Sequence, residues 1–513
     1  MTTKHFLSLA LLALATPAMA QQPLAGKGEY LFDDATQLWR HTAATAGLTI
    51  DSARNRGYAE LSATHHSGDF HRVQEGNQTN RLDFVTERYQ HIGNYLYAYG
   101  RFAFDYGRTK ERAWSDVMRT YESNPFISGS AVPGKYDFQY FDLTARVGTV
   151  ALRQWRFGLA LDYKVGDLSR LRDPRSRSRL LDYKLTPSAT FTLGRHTVGL
   201  AAWYHRYKEK LPSLTTMQDD PNLYYYQMTG LEAATGTIGG YKGYSRQYVN
   251  HAFGAEVQYG YRAEAFSSVN AASIERGTES MHEQYKREPG KYVTYIYKVH
   301  SHNRVKTGTA LHEIDLAAAH QQGYADEYRP ELIITIDSVT SISSRNYRNL
   351  FTYRKRFQLK TFDANLRYRL NLTHGRTVKN YAGVAAAFHT SSQKHLLPTS
   401  KFNLATTDLT AEYGHGLLAG HLWLEATAGY HIAGKADLRL ADDTTPYARA
   451  VLLPDMDYYR ANHWRGSLAL TYHFPMTVKG YRSNWYVRAQ AATLRARGGL
   501  DRNTFGITIG VLN

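Results

Sequence analysis

The sequence predicts an all-β fold: a transmembrane antiparallel β-barrel of about 18 strands, with 16 as the alternative, short turns at one end and long loops at the other. Three observations carry this. Segments of roughly ten residues alternate apolar and polar side chains from residue 57 onward, the period of a strand with two unlike faces. The apolar rows often start or end on an aromatic: Trp155 and Tyr163, Phe141, Trp464 and Phe474, Trp485, Phe505. Tyr and Trp favour a membrane boundary because each joins an apolar body to a polar tip. Tight turns also alternate with long polar connections. A soluble sandwich would share the first feature without needing the other two.

Composition narrows the class further. The 513 residues are 43% hydrophobic and 13% aromatic, with 40 tyrosines and no cysteine. A mean hydropathy of −0.49 excludes a helical membrane bundle, which needs repeated runs of about 20 apolar residues. The lack of cysteine excludes disulfide scaffolds, thiolate metal sites and thiol nucleophiles. Lys+Arg exceeds Asp+Glu by 17, with 62 against 45. Such an excess suits nucleic acid or anionic lipid; an exported membrane barrel meets lipid, so no nucleic-acid partner is expected.

In chain order, Met1–Ala20 reads as a signal peptide. Lys4 supplies the charge, Phe6–Ala15 the apolar run, and Ala18-Met19-Ala20 the cleavage site. Residues 21–56 form a periplasmic or lumenal segment, too short for the folded plug domain of a TonB-dependent receptor. Within it, Asp33–Ala46 has helical spacing at Leu38, Trp39, Thr42 and Ala46, a small internal plug with Asp33 or Asp34 suited to the helix N-terminus. The barrel occupies 57–513. Its strands are predicted at 57–66, 80–91, 95–106, 138–149, 154–164 and 181–193, then at 197–207, 247–260, 263–275, 291–301, 308–321 and 349–371. The remainder fall at 377–390, 402–414, 419–431, 462–474, 484–495 and 503–512. Ile92-Gly93-Asn94, Gly194-Arg195-His196 and Thr373-His374-Gly375-Arg376 are tight turns. Gly107–Lys135, Lys208–Ser245, Gly323–Arg345 and Gly434–Tyr459 are the long, polar loops, placed outside.

The phase of the alternation separates the two faces. In Gln154–Lys164, Trp155, Phe157, Leu159, Leu161 and Tyr163 share one face, and Arg156, Ala160 and Asp162 lie on the other. Projected inward, the polar rows give Asp142, Arg146, Arg156, Asp162, Asp363, Arg367, Arg369, Arg465 and Arg488 as lumen-lining residues. Barrels of about 16–18 strands leave room for an aqueous lumen unless something fills it. The inward charges either set a field across a pore or pair with one another and fill the barrel.

Distinctive motifs lie between Trp39 and Tyr207. They are Ser67-Gly68-Asp69-Phe70, Asn124-Pro125-Phe126-Ile127, Pro133-Gly134-Lys135-Tyr136, Gly166-Asp167 with Arg170, Asp173-Pro174-Arg175 and Leu185-Thr186-Pro187. On these the chain resembles an uncharacterised outer-membrane barrel family of Bacteroidota, defined as a domain of unknown function. The resemblance implies an outer-membrane barrel encoded, in many genomes, near a TonB-dependent receptor, and it supplies no catalytic residues. The ending Gly510-Val511-Leu512-Asn513 departs from the usual terminal aromatic, although Phe505, Ile507, Ile509 and Val511 still make a closing strand.

The search for chemistry is mostly negative. No G-x-S-x-G elbow, P-loop or H-E-x-x-H helix occurs. No catalytic residue, cofactor or metal site is predicted, and the protein is read as a non-enzyme. His300-Ser301-His302 puts two imidazoles on one strand face, a spacing a metal could use; among 22 histidines it reads as a solvated tip. His65-His66 faces opposite sides. The strongest local signal is basic. Arg170, Arg172, Arg175, Arg177 and Arg179 crowd the connection from Asp167 to Leu180. Arginine suits the phosphates of lipopolysaccharide or another anionic ligand; alternatively Asp167, Asp173 and Asp182 pair with these arginines to make a rigid loop. The function read from the sequence is an outer-membrane pore, or an accessory component, for uptake of a small solute in a Gram-negative cell. The alternative is a non-conducting surface module for a TonB-dependent receptor or another surface protein. A lipid-modifying enzyme would need a polar triad at the rim that no spacing reveals.

Overall fold

The computed structural model describes residues 26–51, 54–217, 223–238, 244–336, 338–340, 342–478 and 480–513. The signal peptide expected at 1–20 lies outside these residues. The first strands are β1 (Arg56–Ser67), β2 (Gln78–Ile92), β3 (Leu96–Arg112), β4 (Ser128–Ser130), β5 (Gly134–Thr149), β6 (Trp155–Arg170) and β7 (Arg177–Leu193). Then come β8 (His196–Leu211), β9 (Tyr224–Gly230), β10 (Ala233–Ile238), β11 (Arg246–Arg262), β12 (Phe266–Glu283), β13 (Gly290–Thr307) and β14 (Ala310–Ile336). The last are β15 (Ser343–His374), β16 (Thr377–His395), β17 (Ser400–Leu417), β18 (Leu422–Arg439), β19 (His463–Val478), β20 (Tyr481–Ala496) and β21 (Asp501–Leu512). Among the described residues, an 18-stranded antiparallel sheet closes on itself, each strand beside its neighbour in sequence. The small strands β4, β9 and β10 form a separate sheet.

Closure joins the two ends of the chain. Tyr58 of β1 pairs with Leu512 of β21, and Asn513 exchanges backbone hydrogen bonds with Gly57 at 2.7 and 2.8 Å. Phe505, Ile507 and Ile509 point outward at 50–60% exposure. The closing strand therefore completes the apolar belt without a terminal aromatic. On β6 the belt is Trp155, Phe157, Leu159 and Tyr163, between 38% and 50% exposed, whereas inward Ala160 is 5% exposed. The wall is apolar outside and polar inside, the inverse of a soluble sandwich.

Two sequence expectations change. Gly323–Arg345 is not a long loop: β14 and β15 run through most of it, with a turn at residues 338–340. Pairing of β13 with β14 stops at Glu327 and pairing of β15 with β16 stops at Phe357. Beyond those points the two strands have only each other, as a free-standing ribbon. The N-terminal helix is α1 (Lys27–Thr36), so Asp33 and Asp34 lie in its last turns and not at its start. The helical spacing from Leu38 to Ala46 is used instead by two 3-10 turns, Trp39–His41 and Thr45–Thr49. The Asp51 carboxylate accepts the Trp39 N–H at 2.8 Å, which folds the segment back on itself.

Candidate functional site

At the end carrying the tight turns and the C-terminal residue Asn513, residues 26–51 pack across the inside of the barrel. Lys27 pairs with Glu425 on β18, Arg376 with Asp33 at 2.9 Å, and the Arg304 guanidinium on β13 donates to the Ala35 carbonyl. The Ala43 N–H donates to Glu256 on β11 at 2.7 Å, and the Ala46 N–H to Ser188 on β7 at 3.0 Å. Glycines in the wall make room for this. A Cβ on Gly158 would lie 2.2 Å from the Ala46 nitrogen, and one on Gly260 would lie 2.7 Å from the Trp39 ring. Trp39 itself is 4% exposed. Burial, with His302 and nearby arginines, pushes the His41 imidazole down to about 3, so it is neutral where it stacks on His302.

The opposite end is closed by loops that fold inward. Residues 113–133 carry β4, which pairs with β9 of the next long loop. Trp114, Val117, Phe126, Ile127 and Met228 from these loops join Tyr248, Met281, Tyr292, Phe357 and Leu359 of the wall in one buried apolar cluster. The third loop, 440–462, adds Tyr447 and Val451 and the helix α2 (Leu453–Arg460). These long loops are polar, but their few large apolar residues bury against an apolar ring at the barrel mouth, which is the favourable place for them. The Asn124-Pro125-Phe126-Ile127 motif is the anchor. Asn124 donates to Glu279 at 2.6 Å, and the Phe126 carbonyl accepts from Tyr248 at 2.6 Å and Arg246 at 3.1 Å. Phe70 of the Ser67–Phe70 motif stacks on Tyr458 at 4.6 Å, and Arg72 lies 3.5 Å from the Tyr121 ring.

Beneath the loops lies a chamber of about 590 Å³, lined by loop and wall residues. Phe357, Leu359, Phe402, Leu404, Val451 and Met456 make its apolar side. Its polar side holds Glu122, which dips from the 113–133 loop to meet His389 at 3.0 Å; His389 also meets Asp363 at 2.8 Å. Asp408 lies 3.2 Å from both His431 and Arg465. The Tyr121 hydroxyl borders the space, buried and without a hydrogen-bond partner. Burial alone would raise the Glu122 carboxyl, but the hydrogen bond and charge of His389 hold it below its ordinary range. A cavity with one apolar wall and a few convergent polar groups suits a small amphiphilic molecule.

The nine residues projected inward all lie on the inner face, spread around it. Arg367 and Arg369 converge on Glu412 at 3.0 and 2.7 Å, and Arg465 also donates to Thr410 at 2.7 Å. Arg488 is 3.9 Å from Glu425, and Asp142 is 3.9 Å from Arg101. Asp162 accepts from Thr144 at 2.9 Å, Arg156 donates to Thr192 at 3.0 Å, and Arg146 sits 5.8 Å from the Tyr99 ring. Only Asp363 and Arg465 reach the chamber region. Projection of acids and arginines missed His389, Asp408 and His431, which the same alternation would have placed inward. Glu122 and Tyr121 had no periodic signal, because they come from a loop.

The five arginines do not form one site. Arg170 is 2% exposed and donates to the Tyr136 hydroxyl at 2.9 Å and the Val132 carbonyl at 2.7 Å. Tyr136 in turn donates to Asp116 at 2.6 Å, so Arg170 clamps a loop to the wall and is withdrawn from any exposed ligand site. Arg172 donates to the Pro133 carbonyl at 3.0 Å. Arg175 pairs with Asp173 at 3.0 Å and Arg177 with Asp167 at 2.7 Å, whereas Asp182 pairs with His205 at 2.7 Å. Arg179 faces outward, exposed. His300 and His302 are not a solvated tip: His302 meets Asp315 at 2.9 Å beneath the N-terminal segment. His65 and His66 bond to Asn80 and Thr504 on either side of β1.

A closed antiparallel barrel with an apolar belt, a polar interior and both ends obstructed is an outer-membrane-type β-barrel. By sequence the chain belongs to a family of unknown function (DUF6850), matched over residues 45–513. No curated protein matches the chain. In structure it is similar to the outer membrane transporter YddB from Escherichia coli, at 9% identity and a TM-score of 0.42, over 90% of this chain and 81% of that one. It is similar to the FrpB iron transporter from Neisseria meningitidis at 10% identity and a TM-score of 0.39, over 91% and 82% of the two chains. The siderophore receptor PirA from Acinetobacter baumannii gives 9% identity and a TM-score of 0.38, over 90% and 81%.

Proposed function

We propose that this protein is a gated, non-enzymatic uptake barrel of the outer membrane, with the termini and tight turns in the periplasm and the loops outside. A small solute enters from the loop side, is held in the chamber, and leaves when the N-terminal segment moves. The observation that carries this is a polar-and-apolar chamber beneath the inward-folded loops, in a barrel whose other end is crossed by the N-terminal segment. A free-running pore would need neither closure, and a barrel that served only as scaffold would have no use for a chamber lined by Glu122, His389, Asp408 and the four tyrosines Tyr121, Tyr447, Tyr458 and Tyr459. Planar-bilayer recording tests it. The intact protein should be closed with brief openings, and a variant lacking residues 26–51 should open more often, with the loop closure as the remaining barrier. A steadily open intact protein would overturn gating. So would a silent deletion variant whose mobility in SDS still shifts on heating.

A second reading has its own support. The β14–β15 ribbon ends in exposed apolar side chains, with Ile334 54%, Ile336 70% and Ile342 67% exposed. A non-conducting module that docks a TonB-dependent receptor or another surface protein would present such a ribbon. A silent deletion variant with an intact barrel favours this reading.

A further inference from the structure

On β7 the odd residues face outward. From Leu185, 43% exposed within the apolar belt, the row continues towards the loops as Tyr183, Leu181, Arg179 and Arg177. On β8 the even residues do the same: Leu200, 56% exposed, then Ala202, Tyr204, Arg206, Lys208 and Lys210. On each strand the surface passes from aliphatic through tyrosine to cation in steps of about 6.6 Å, two residues of strand rise. Tyrosine marks the membrane boundary, so the cations stand at headgroup depth.

These cations are arranged against their own interest unless an anion is present. Register sets Arg179 opposite Lys210 of β8 on one side and opposite Asp167 of β6, the carboxylate held by Arg177, on the other. Like charges directly opposite destabilise a sheet. Among the described residues, Arg177 takes Asp167 at 2.7 Å, while no carboxylate pairs with Arg179, Arg206, Lys208 or Lys210. The Arg206 Nε is buried with no hydrogen-bond partner. The pattern recurs elsewhere on the wall at the same end. Lys394 of β16 lies opposite Lys401 of β17, and Lys401 opposite Arg439 of β18, all on the outward face. Two separate sets of opposed cations at one end of the wall, with Asp437 of the second already paired to Lys435 at 3.4 Å, leave positive charge there for an external counter-charge.

We propose that this outward collar binds the phosphate groups of the lipid leaflet at the loop end, which in an outer membrane is lipopolysaccharide. Arginine and lysine supply charge-assisted hydrogen bonds to phosphate, and the aliphatic stems of both lie along the belt below. The collar differs from the arginine-rich connection read from the sequence: Arg170, Arg172 and Arg175 are occupied within the protein, and three of the binding cations come from β8. The proposal rests on the orientation adopted above, not on solute uptake.

The test uses the full-length protein in detergent, titrated with bisphosphorylated lipid A, dephosphorylated lipid A or inorganic phosphate. Bisphosphorylated lipid A should bind with an affinity that falls as salt rises and should raise the melting temperature. The variant Arg179→Gln/Arg206→Gln/Lys208→Gln/Lys210→Gln should bind it about tenfold more weakly or worse, with its heat-modifiable mobility intact. Lys210→Gln alone should weaken binding, yet melt no lower than the parent protein without lipid, since a repulsive pair has been relieved. Equal affinity of parent and variants for bisphosphorylated lipid A overturns the proposal. So does equal binding of dephosphorylated lipid A. Binding of inorganic phosphate as tight as that of lipid A makes the collar a free-anion site and overturns the lipid assignment. If the fourfold variant fails to fold, unchanged lipid A binding by Lys210→Gln is sufficient to reject it. Lipid A binding by a barrel that never conducts would leave the collar standing and the uptake reading fallen.

Discussion

Arg170 and Arg179 show how little residue type says about role. They lie nine positions apart in one basic run, but one is sealed inside and the other faces out. Arg170→Gln removes hydrogen bonds to Tyr136, Val132 and the Arg172 carbonyl. It should lower stability by about 2–3 kcal/mol, read as a drop in the detergent melting temperature. Arg179→Gln should stay within about 0.5 kcal/mol. Equal effects would contradict the clamp. Asp455 on α2 gives a second residue-scale expectation. It is 5% exposed and accepts the Val73 N–H at 2.9 Å. Burial pushes it up to about 6, against that hydrogen bond and the Arg72 charge, with Glu75 the other charge facing it. A carboxyl whose folded value lies above its unfolded value of 3.8 binds its proton more tightly when folded. Its stabilisation is complete below pH 3.8 and is lost as pH rises through about 6, an effect of at most about 3 kcal/mol. Proteolysis of loop 440–462 should therefore be slowest in acid and quicken towards neutrality, while Asp455→Asn should make it flat across that window. A flat profile in the unmodified protein would remove this switch.

At the scale of elements, the two faces of β6 predict different failures. Leu159 is 50% exposed to the membrane side. Leu159→Arg should cost about 2–4 kcal/mol if it lies near the midplane, measured by denaturant unfolding in lipid. The inner face of the same strand is not wet at this level, because Gly158 touches the Ala46 backbone and Ala160 is 5% exposed. Gly158→Leu should leave the barrel folded but expel the N-terminal segment. Trypsin should then cut at Arg40 or Arg54 in the variant and not in the parent protein. Loss of the barrel itself would mean that the segment is part of the fold and not a movable closure.

Within the wall none of the 18 barrel strands has a free edge; only beyond it do the β14–β15 ribbon and the loop end of β18 outrun a neighbour. Unpaired backbone groups in lipid each cost several kcal/mol. The protein should therefore need detergent, resist cold SDS and change mobility on boiling. A chain that stayed soluble and monomeric without detergent would contradict the membrane assignment.

Strand number, strand order and the inside–outside phase were legible in the sequence, because a two-residue period is written into neighbouring side chains and needs no distant partner. The predicted strands fell short at their loop ends, as at β3, β6, β8 and β18, where the outward row turns polar although the ladder continues. The ribbon of β14 and β15 was read as loop for the same reason. Of what fills the barrel, helical spacing pointed to a small N-terminal plug, but its contacts and the inward fold of the loops were not legible. The N-terminal segment meets Glu425, Arg304 and Ser188, and Glu122 meets His389 at a separation of 267 residues. Such contacts carry no local period, and a loop residue shows its role only when closure of the barrel brings the opposite wall to it. The sequence alone determined the wall. The tertiary structure decided what lies inside the wall, because filling a lumen is a matter of which distant side chains the closed sheet sets face to face.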